Sequence, residues 1–224
     1  MTQPTGGRVW AVAHTKGGPG KTTLALQIAL GMLARGLRVW LVDGDEQQSA
    51  MKALGFRPEG LPTLPAAAYA EGKTLLAQVT EQRGQYDLVV IDTGGRNSRA
   101  LRAALNVADL ALVPFNPSAF ELWAHEEIGP EIDEASAPNV YRPHALDVRA
   151  VVNCADPDPK SPDNAGCREV VDATGLYRLL TTQIVKRKAL ARASAQGVAI
   201  GAYSPRDSLA AAEIAALISE LEQD

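Results

Sequence analysis

The chain has 224 residues and a formal net charge of −4; 46% of its residues are hydrophobic and 21% are charged. These values are typical of a soluble globular protein, and residues 1–224 are expected to form a single domain. Because the net charge is negative, the chain as a whole does not attract nucleic acid, and any surface that binds nucleic acid must be local. There is no basic, apolar leader and no apolar stretch long enough to span a membrane. Cys154 and Cys167 form no C-x-x-C motif, which favours reduced thiols in a cytoplasmic protein.

Apolar strand-like runs alternate with helical stretches along the chain, which is typical of a doubly wound α/β domain. The predicted strands cover residues 8–14, 37–43, 88–92, 110–114, 148–153 and 179–184. The predicted helices cover residues 21–35, 47–54, 74–83, 98–106, 119–135, 163–174, 188–196 and 208–222. Continuous rather than alternating apolar strands predict a mostly parallel sheet with helices on both faces. Residues 58–65 and 156–162 are predicted loops.

Residues 16–23, between the first predicted strand and helix, read Lys-Gly-Gly-Pro-Gly-Lys-Thr-Thr. A strand, a glycine-rich turn and a helix can cradle a nucleotide phosphate, because backbone N–H groups and the helix N-terminus point at the anion. In the pattern G-x-x-x-x-G-K-[ST], Lys21 reaches the β- and γ-phosphates and the Thr22 hydroxyl binds Mg²⁺. Here Thr15 stands where the first glycine belongs, and a second lysine, Lys16, opens the loop. The alternative is a glycine-rich turn that binds nothing or binds a dinucleotide.

With both lysines present, the loop resembles the deviant P-loop, K-G-G-x-x-K-[ST], of the ParA/MinD family of dimeric ATPases. The resemblance covers essentially the whole chain, including residues 113–118 with 123–124, and residues 197–198 with 210–214. It implies a P-loop NTPase fold, ATP and Mg²⁺ as cofactors, and an ATP-dependent homodimer. In that dimer Lys16 would reach the phosphates of the partner's ATP. The implied nucleotide-binding residues of the loop are Lys16, Gly17, Gly18, Pro19, Gly20, Lys21, Thr22 and Thr23.

Aspartates follow two predicted strands, where chemistry on ATP would need Mg²⁺ ligands and a group to orient water. Asp43 and Asp45 end the second strand, and Asp92 ends the third. Taken alone, each could be a helix cap or a turn residue. The resemblance implies that Asp45 positions the water and helps to hold Mg²⁺, that Asp43 supports it, and that Asp92 binds Mg²⁺ through water. Together with Lys16 and Lys21, Asp45 is therefore a candidate catalytic residue, and Thr22, Asp45 and Asp92 are candidate metal ligands.

The family's usual prolines are absent from both of these aspartate loops. Glu46 follows Asp45, and Gly94-Gly95 follow Asp92-Thr93. The two glycines that follow Thr93 could make the loop after Asp92 more mobile. The resemblance implies an adenine contact from Asn153, at the end of a predicted strand, and from Pro205 in the loop 203–206, whereas an Asn in an ordinary turn is the alternative.

A basic stretch lies late in the chain: between Arg178 and Arg206 there are six basic residues and no acidic one. The resemblance implies non-specific DNA binding there, and phosphate contacts would supply salt-sensitive affinity independent of sequence. A solvated helix face is the alternative. The acidic stretch 121–134 is interpreted as a solvated helix face, with docking of a basic partner segment as a weaker hypothesis. The candidate DNA-binding residues are Lys186, Arg187, Lys188 and Arg192.

The short length leaves no room for the N-terminal helix-turn-helix domain of longer plasmid ParA proteins. The acidic C-terminal residues 218–224 argue against a membrane-binding helix of the MinD type. The resemblance then implies a cytoplasmic, nucleoid-associated ATPase, stimulated by a ParB-like or other partner protein, that positions a plasmid, a chromosome or a protein assembly. Two other classes stay open: an ATP-dependent ligase of the same fold, resembling dethiobiotin synthetase, and an ATP-switched protein-interaction module that does not bind DNA.

Overall fold

The computed structural model describes residues 7–95, 99–117 and 124–223, with the backbone alone described for residues 124–126. Its strands are β1 (Arg8–Val12), β2 (Val39–Gly44), β3 (Ala66–Ala68), β4 (Leu88–Thr93), β5 (Leu110–Phe115), β6 (Asp147–Ala155) and β7 (Arg178–Val185). They form one seven-stranded sheet in the order β3-β2-β4-β1-β5-β6-β7. Every strand pairing among the described residues is parallel.

Helices cover both faces of this sheet. They are α1 (Lys21–Ala34), α2 (Ser49–Gly55), α3 (Gly72–Gln82), α4 (Arg99–Val107), α5 (Ala124–Ser136), α6 (Pro162–Ala173), α7 (Lys188–Ala195) and α8 (Ser208–Leu221). Helices α1, α2, α7 and α8 pack on one face, and α3, α4, α5 and α6 pack on the other. The predicted doubly wound α/β fold is confirmed. No helix in the described ranges is both long and apolar enough to cross a bilayer.

The inner strands β1, β2, β4 and β5 are almost continuously apolar because both of their faces are buried. In β1, Val9 and Ala11 face the core under α3–α6, whereas Trp10 and Val12 face the core under α1 and α8. Side chains alternate between the two faces of a strand, so each core receives every second residue. A strand with this double burial needs apolar residues at consecutive positions, which is the pattern that the sequence shows.

The structure adds one strand to the predicted elements, and the described ends of the others differ from the prediction by up to two residues. Strand β3 was not predicted, because it is three alanines at the sheet edge and pairs only with β2, and alanine has little strand preference. The first strand was predicted to reach residue 14 but ends at Val12. The predicted starts of two helices, at residues 98 and 119, lie outside the described residues, as do Ser118 and Trp123 of the family-like segment.

A buried polar side chain, Gln27, lies in α1 among apolar residues. Its Nε2 donates to Ser194 Oγ at 3.0 Å and to the Val198 carbonyl at 2.9 Å, and its Oε1 accepts from Ile200 N at 2.7 Å. Because a buried amide without partners would cost stability, these three bonds fix α1 against α7 and the segment that follows it.

His14 is fully buried where the chain leaves β1. Its Nδ1 accepts a hydrogen bond from Lys16 N at 2.9 Å, and its ring meets Phe115 edge-on with centroids 5.6 Å apart. Burial, followed by the nearby charges of Lys21 and Lys16, lowers the pKa of His14 to about 3. The imidazole is therefore neutral near pH 7.

We predict that His14 makes the fold weaken as the pH falls. Since the unfolded chain takes up a proton on His14 below about pH 6.5 and the folded chain does not until about pH 3, its contribution falls by up to about 1.4 kcal/mol per pH unit in that window. His14→Asn removes this titration and can keep the bond to Lys16 N, because Asn side chains accept from the N–H two residues on. Denaturant unfolding of both proteins from pH 7.5 to 5 checks this, and parallel stability curves would contradict it.

Candidate functional site

The strand order brings three loops together at the carboxyl edge of the sheet. In register, Val12 of β1 lies beside Asp92 of β4, and Asp92 lies beside Asp43 of β2. The loop 13–20, which follows β1, therefore meets the loops that follow β2 and β4. Because β4 separates β1 from β2, Asp92 lies at the centre of this edge.

The glycines of the P-loop allow its backbone conformation. Gly18 has a φ of 96° and Gly20 a φ of 89°, both in the left-handed region that favours glycine. A Cβ on Gly20 would also lie 2.3 Å from Asn153 Nδ2, which leaves no room for a side chain. Helix α1 begins directly after Gly20, so its first N–H groups have no partner within the helix and are directed at the loop. This arrangement is an anion cradle.

Lys21 is buried at the base of the loop, and its Nζ donates to the Lys16 carbonyl at 2.7 Å. The bond closes the loop on itself and keeps a positive charge on its inner side. Lys21 is also close enough to Asp92 to lower the pKa of that carboxyl by its charge. The structure therefore brings Lys21 and Asp92 together, as the sequence predicted.

Asp92 is completely buried, and neither of its carboxylate oxygens has a hydrogen-bond partner among the described residues. Burial raises the pKa of Asp92 to about 7, although the nearby Thr22 hydroxyl and the Lys21 charge offset part of this effect, and Asp43 and Asp45 add to it. A buried carboxylate without partners is costly. A cation at this point would remove the cost.

The donors beside Asp92 fit a small divalent cation that keeps part of its water shell. The Thr22 hydroxyl and the Asp92 carboxylate are hard oxygen ligands of the kind that Mg²⁺ prefers. Across the described residues, no group of three or more His, Cys, Asp or Glu side chains forms a ready-made metal site. Mg²⁺ commonly takes one or two protein oxygens and completes its shell with water and phosphate.

Asp43 organises the loop after β2. It is fully buried, and its two oxygens accept from Asp45 N at 3.1 Å and from Met51 N at 3.0 Å. Burial raises the pKa of Asp43, while these backbone bonds partly offset that effect. Asp43 thus holds the backbone at Asp45, and the roles of both residues at the site stay predictions. Asp45 itself is half-exposed, and its Oδ1 accepts from Gln47 N at 2.9 Å.

Gly94 and Gly95 pack between the other two loops. A Cβ on Gly94 would lie 3.4 Å from Asp45 Cα, and a Cβ on Gly95 would lie 3.5 Å from Gly17 N. These are ordinary contact distances. The loop after β4 therefore lies beside both Asp45 and the P-loop, and a side chain at either glycine would contact them.

Asn153 makes a contact with the P-loop that was not predicted. It is buried, and its Nδ2 donates to the Pro19 carbonyl at 2.6 Å. The side chain therefore holds the P-loop backbone at Pro19. Its contact with adenine stays a prediction. Pro205 is exposed in the loop before α8, and its role in base binding also stays a prediction.

The basic stretch divides into two kinds of side chain. Lys186, Lys188 and Arg192 are exposed. Arg187 is half-buried, and its Nη2 donates to Glu213 Oε1 of α8 at 2.8 Å, a bond that raises the pKa of Arg187. Grouping Arg187 with a free basic surface was therefore too simple. The sequence has no acidic residue in this stretch, but folding brings one from α8 beside it.

The acidic stretch is also more than a solvated face. Glu131 is buried and accepts two hydrogen bonds from Arg102 of α4, at 2.7 and 3.1 Å. Glu127, one turn earlier, contacts the P-loop residues Thr15 and Lys16. The sequence analysis did not identify His14 or Glu127 as residues of the site. The feature of the sequence that came closest to indicating them was Thr15, which stands where the first glycine belongs. Glu121 and the side chain of Glu126 lie outside the described residues.

Family models match two adjoining parts of the chain. Residues 7–66 match a family described as an AAA domain, and residues 64–165 match the family of the ATPase MipZ. Among curated proteins, the chain is 28% identical to the maintenance of carboxysome distribution protein A of Halothiobacillus neapolitanus, over 94% of each chain. It is 31% identical to the chromosome-partitioning ATPase Soj of Thermus thermophilus, over 50% of this chain and 56% of that protein.

Among solved structures, the fold is similar to that of a Cyanothece McdA variant in complex with ATP, with a TM-score of 0.78, 15% identity, and coverage of 99% of this chain and 98% of that chain. At this identity the likeness shows the fold. The deviant P-loop, the two matched family models and these relatives agree with one another and support a ParA/MinD-family ATPase.

Proposed function

We propose that residues 1–224 act as one domain that binds ATP with Mg²⁺ at the carboxyl edge of the sheet and hydrolyses it to ADP and phosphate. The observation that carries the proposal is the buried Asp92 carboxylate, which has no hydrogen-bond partner among the described residues and lies close to Lys21 and Thr22. Bound Mg²⁺ would neutralise charge on the phosphates. Thr22 would ligate the ion directly, and Asp92 would hold it through water.

The roles of the other residues follow from their positions. Backbone N–H groups of the P-loop and of the start of α1 would bind the phosphates, and Lys21 would turn from the Lys16 carbonyl to the β- and γ-oxygens. Asp45, supported by Asp43, would orient the attacking water. Lys16 lies at the outer end of the loop with about a third of its side chain exposed. It would reach the phosphates of a partner subunit's ATP in a homodimer.

We further propose that the ATP-bound dimer binds double-stranded DNA non-specifically through Lys186, Lys188 and Arg192. The three side chains are exposed, and they follow β7 or lie on α7, with Lys188 and Arg192 four residues apart on one helix face. Contacts to phosphates would be weak singly, and a dimer doubles them. Arg187 is left out of this surface, since Glu213 neutralises it.

The purpose of the cycle would be to position a cargo in the cytoplasm along the nucleoid. A ParB-like or other partner would stimulate hydrolysis, the dimer would separate, and the DNA would be released. The names of the relatives support positioning: one maintains carboxysome distribution and another partitions chromosomes. A metabolic ligase or a protein-only switch of the same fold would bind ATP but would not bind DNA in any nucleotide state.

The two P-loop lysines should fail in different ways. Lys21→Ala should weaken ATP binding by about 10- to 100-fold, because it removes a charge-assisted hydrogen bond inside the loop. Lys16→Ala should retain ATP binding but lose ATP-dependent dimerisation. Calorimetry and sedimentation velocity with a non-hydrolysable ATP analogue measure the two effects. Loss of ATP binding in both variants alike would contradict the division of roles.

Asp92→Asn should make the fold more stable and ATP hydrolysis slower. At pH 8 in the absence of nucleotide and Mg²⁺, the variant should unfold with a free energy about 1 to 3 kcal/mol higher than the wild type, because burial of the Asp92 charge outweighs the nearby Thr22 hydroxyl and Lys21 charge. Its Mg²⁺-dependent ATP hydrolysis should fall by at least about tenfold, because the isosteric amide is a poorer ligand than a carboxylate. A variant that is less stable, or equally active, would count against the assignment of Asp92.

Removing the two exposed cations of α7 should weaken DNA binding and its salt dependence together. For Lys188→Ala with Arg192→Ala, the slope of log K against log salt should become shallower by about 0.9 for each phosphate that the variant no longer neutralises. Lys73→Ala with Arg99→Ala is the matched control, since it removes two exposed cations from α3 and from the start of α4, on the opposite face of the sheet. Fluorescence anisotropy with ATP across a salt series tests this; equal behaviour of the two double variants would place the DNA surface elsewhere.

A further inference from the structure

The P-loop carries one substitution that the proposed ATPase cycle does not explain, the threonine at position 15. Its Oγ1 donates to Glu127 Oε2 at 3.4 Å, while the other oxygen of the same carboxylate, Oε1, lies 3.9 Å from Lys16 Nζ. A single side chain of α5 thus contacts two neighbouring residues of the loop. A glycine at position 15 could not make the first of these contacts.

Helix α5 is held firmly enough to place Glu127. One turn after it, Glu131 forms two hydrogen bonds with Arg102 of α4, and Ile128 and Ile132 are buried in the core. Glu127 itself remains more than half exposed. Its carboxylate is therefore directed at the loop by a packed helix, yet it remains open to solvent and to an incoming partner.

We infer that Glu127 is a positioning residue that holds Lys16 against its own subunit until a partner's nucleotide replaces it. The inference rests on the proposed function, in which Lys16 must cross a dimer interface to reach phosphates. An exposed ion pair at this distance is weak, and triphosphate oxygens carry far more negative charge than one carboxylate. Lys16 therefore leaves Glu127 for phosphate only when ATP is bound to the partner subunit. Glu127 thereby makes dimerisation more dependent on ATP.

Glu127→Gln tests this, because it keeps the shape of the side chain and an acceptor for Thr15 but removes the charge. Dimerisation with a non-hydrolysable ATP analogue should become about 3- to 10-fold tighter, since two weak pairs are no longer broken per dimer. Glu134→Gln, an exposed change of the same charge on the same helix, is the control and should leave the dimer constant unchanged. In a Lys16→Ala background, which should not dimerise with ATP, Glu127→Gln should not restore dimerisation.

A second readout does not depend on dimerisation. In nucleotide-free protein, the rate at which an amine-reactive reagent acetylates Lys16, followed by peptide mass spectrometry, should rise at least about twofold in Glu127→Gln and stay constant in Glu134→Gln. If the two variants match in both readouts, the inference is overturned and the proposed function stands. If the wild type does not dimerise with ATP, the proposed function fails, and the acetylation rates alone decide whether Glu127 holds Lys16.

Discussion

A buried negative charge at the carboxyl edge of a parallel sheet is the constraint on which the site depends. The register places Asp92 between the P-loop strand and the strand that ends in Asp43, and the two aspartates lie side by side. Asp43 uses its oxygens on backbone N–H groups, whereas Asp92 has no such partners among the described residues. Stability alone would favour a different residue at position 92, and the binding of a cation gives a reason for the carboxylate.

The groups around the P-loop hold its backbone in a conformation that can accept an anion. His14 accepts from Lys16 N, Lys21 donates to the Lys16 carbonyl, and Asn153 donates to the Pro19 carbonyl. These bonds engage the inner side of the loop and fix its backbone before any ligand arrives. Preorganisation of this kind lowers the entropy that binding would otherwise cost.

Most of the elements and the centre of the site could be predicted from the sequence. The periodicity of apolar residues depends on local chain geometry, so strands and helices were predicted with ends that differ from the structure by a few residues. The P-loop lysines and glycines and the aspartates after two strands could be found because each lies beside the motif that explains it. Strand β3 could not, since three alanines have no pattern and take their conformation from pairing with β2.

Contacts between distant parts of the chain could not be predicted from one sequence. Arg187 is partnered by Glu213, Asn153 by Pro19 and Glu127 by Lys16. In each case the partner lies on another element, and only the packing of the helices on the sheet brings the two together. The basic stretch thus read as uniform in sequence, although folding neutralises one of its members and leaves the others exposed.

The most direct test is the affinity for ATP measured by calorimetry at pH 8, with Mg²⁺ and then with excess EDTA. A site built around a buried carboxylate should bind ATP at least about tenfold more tightly when Mg²⁺ is present, because without the cation Asp92 and the phosphates repel each other. Equal affinity under both conditions, or no binding in either, would contradict the assignment of this edge of the sheet as a magnesium–nucleotide site.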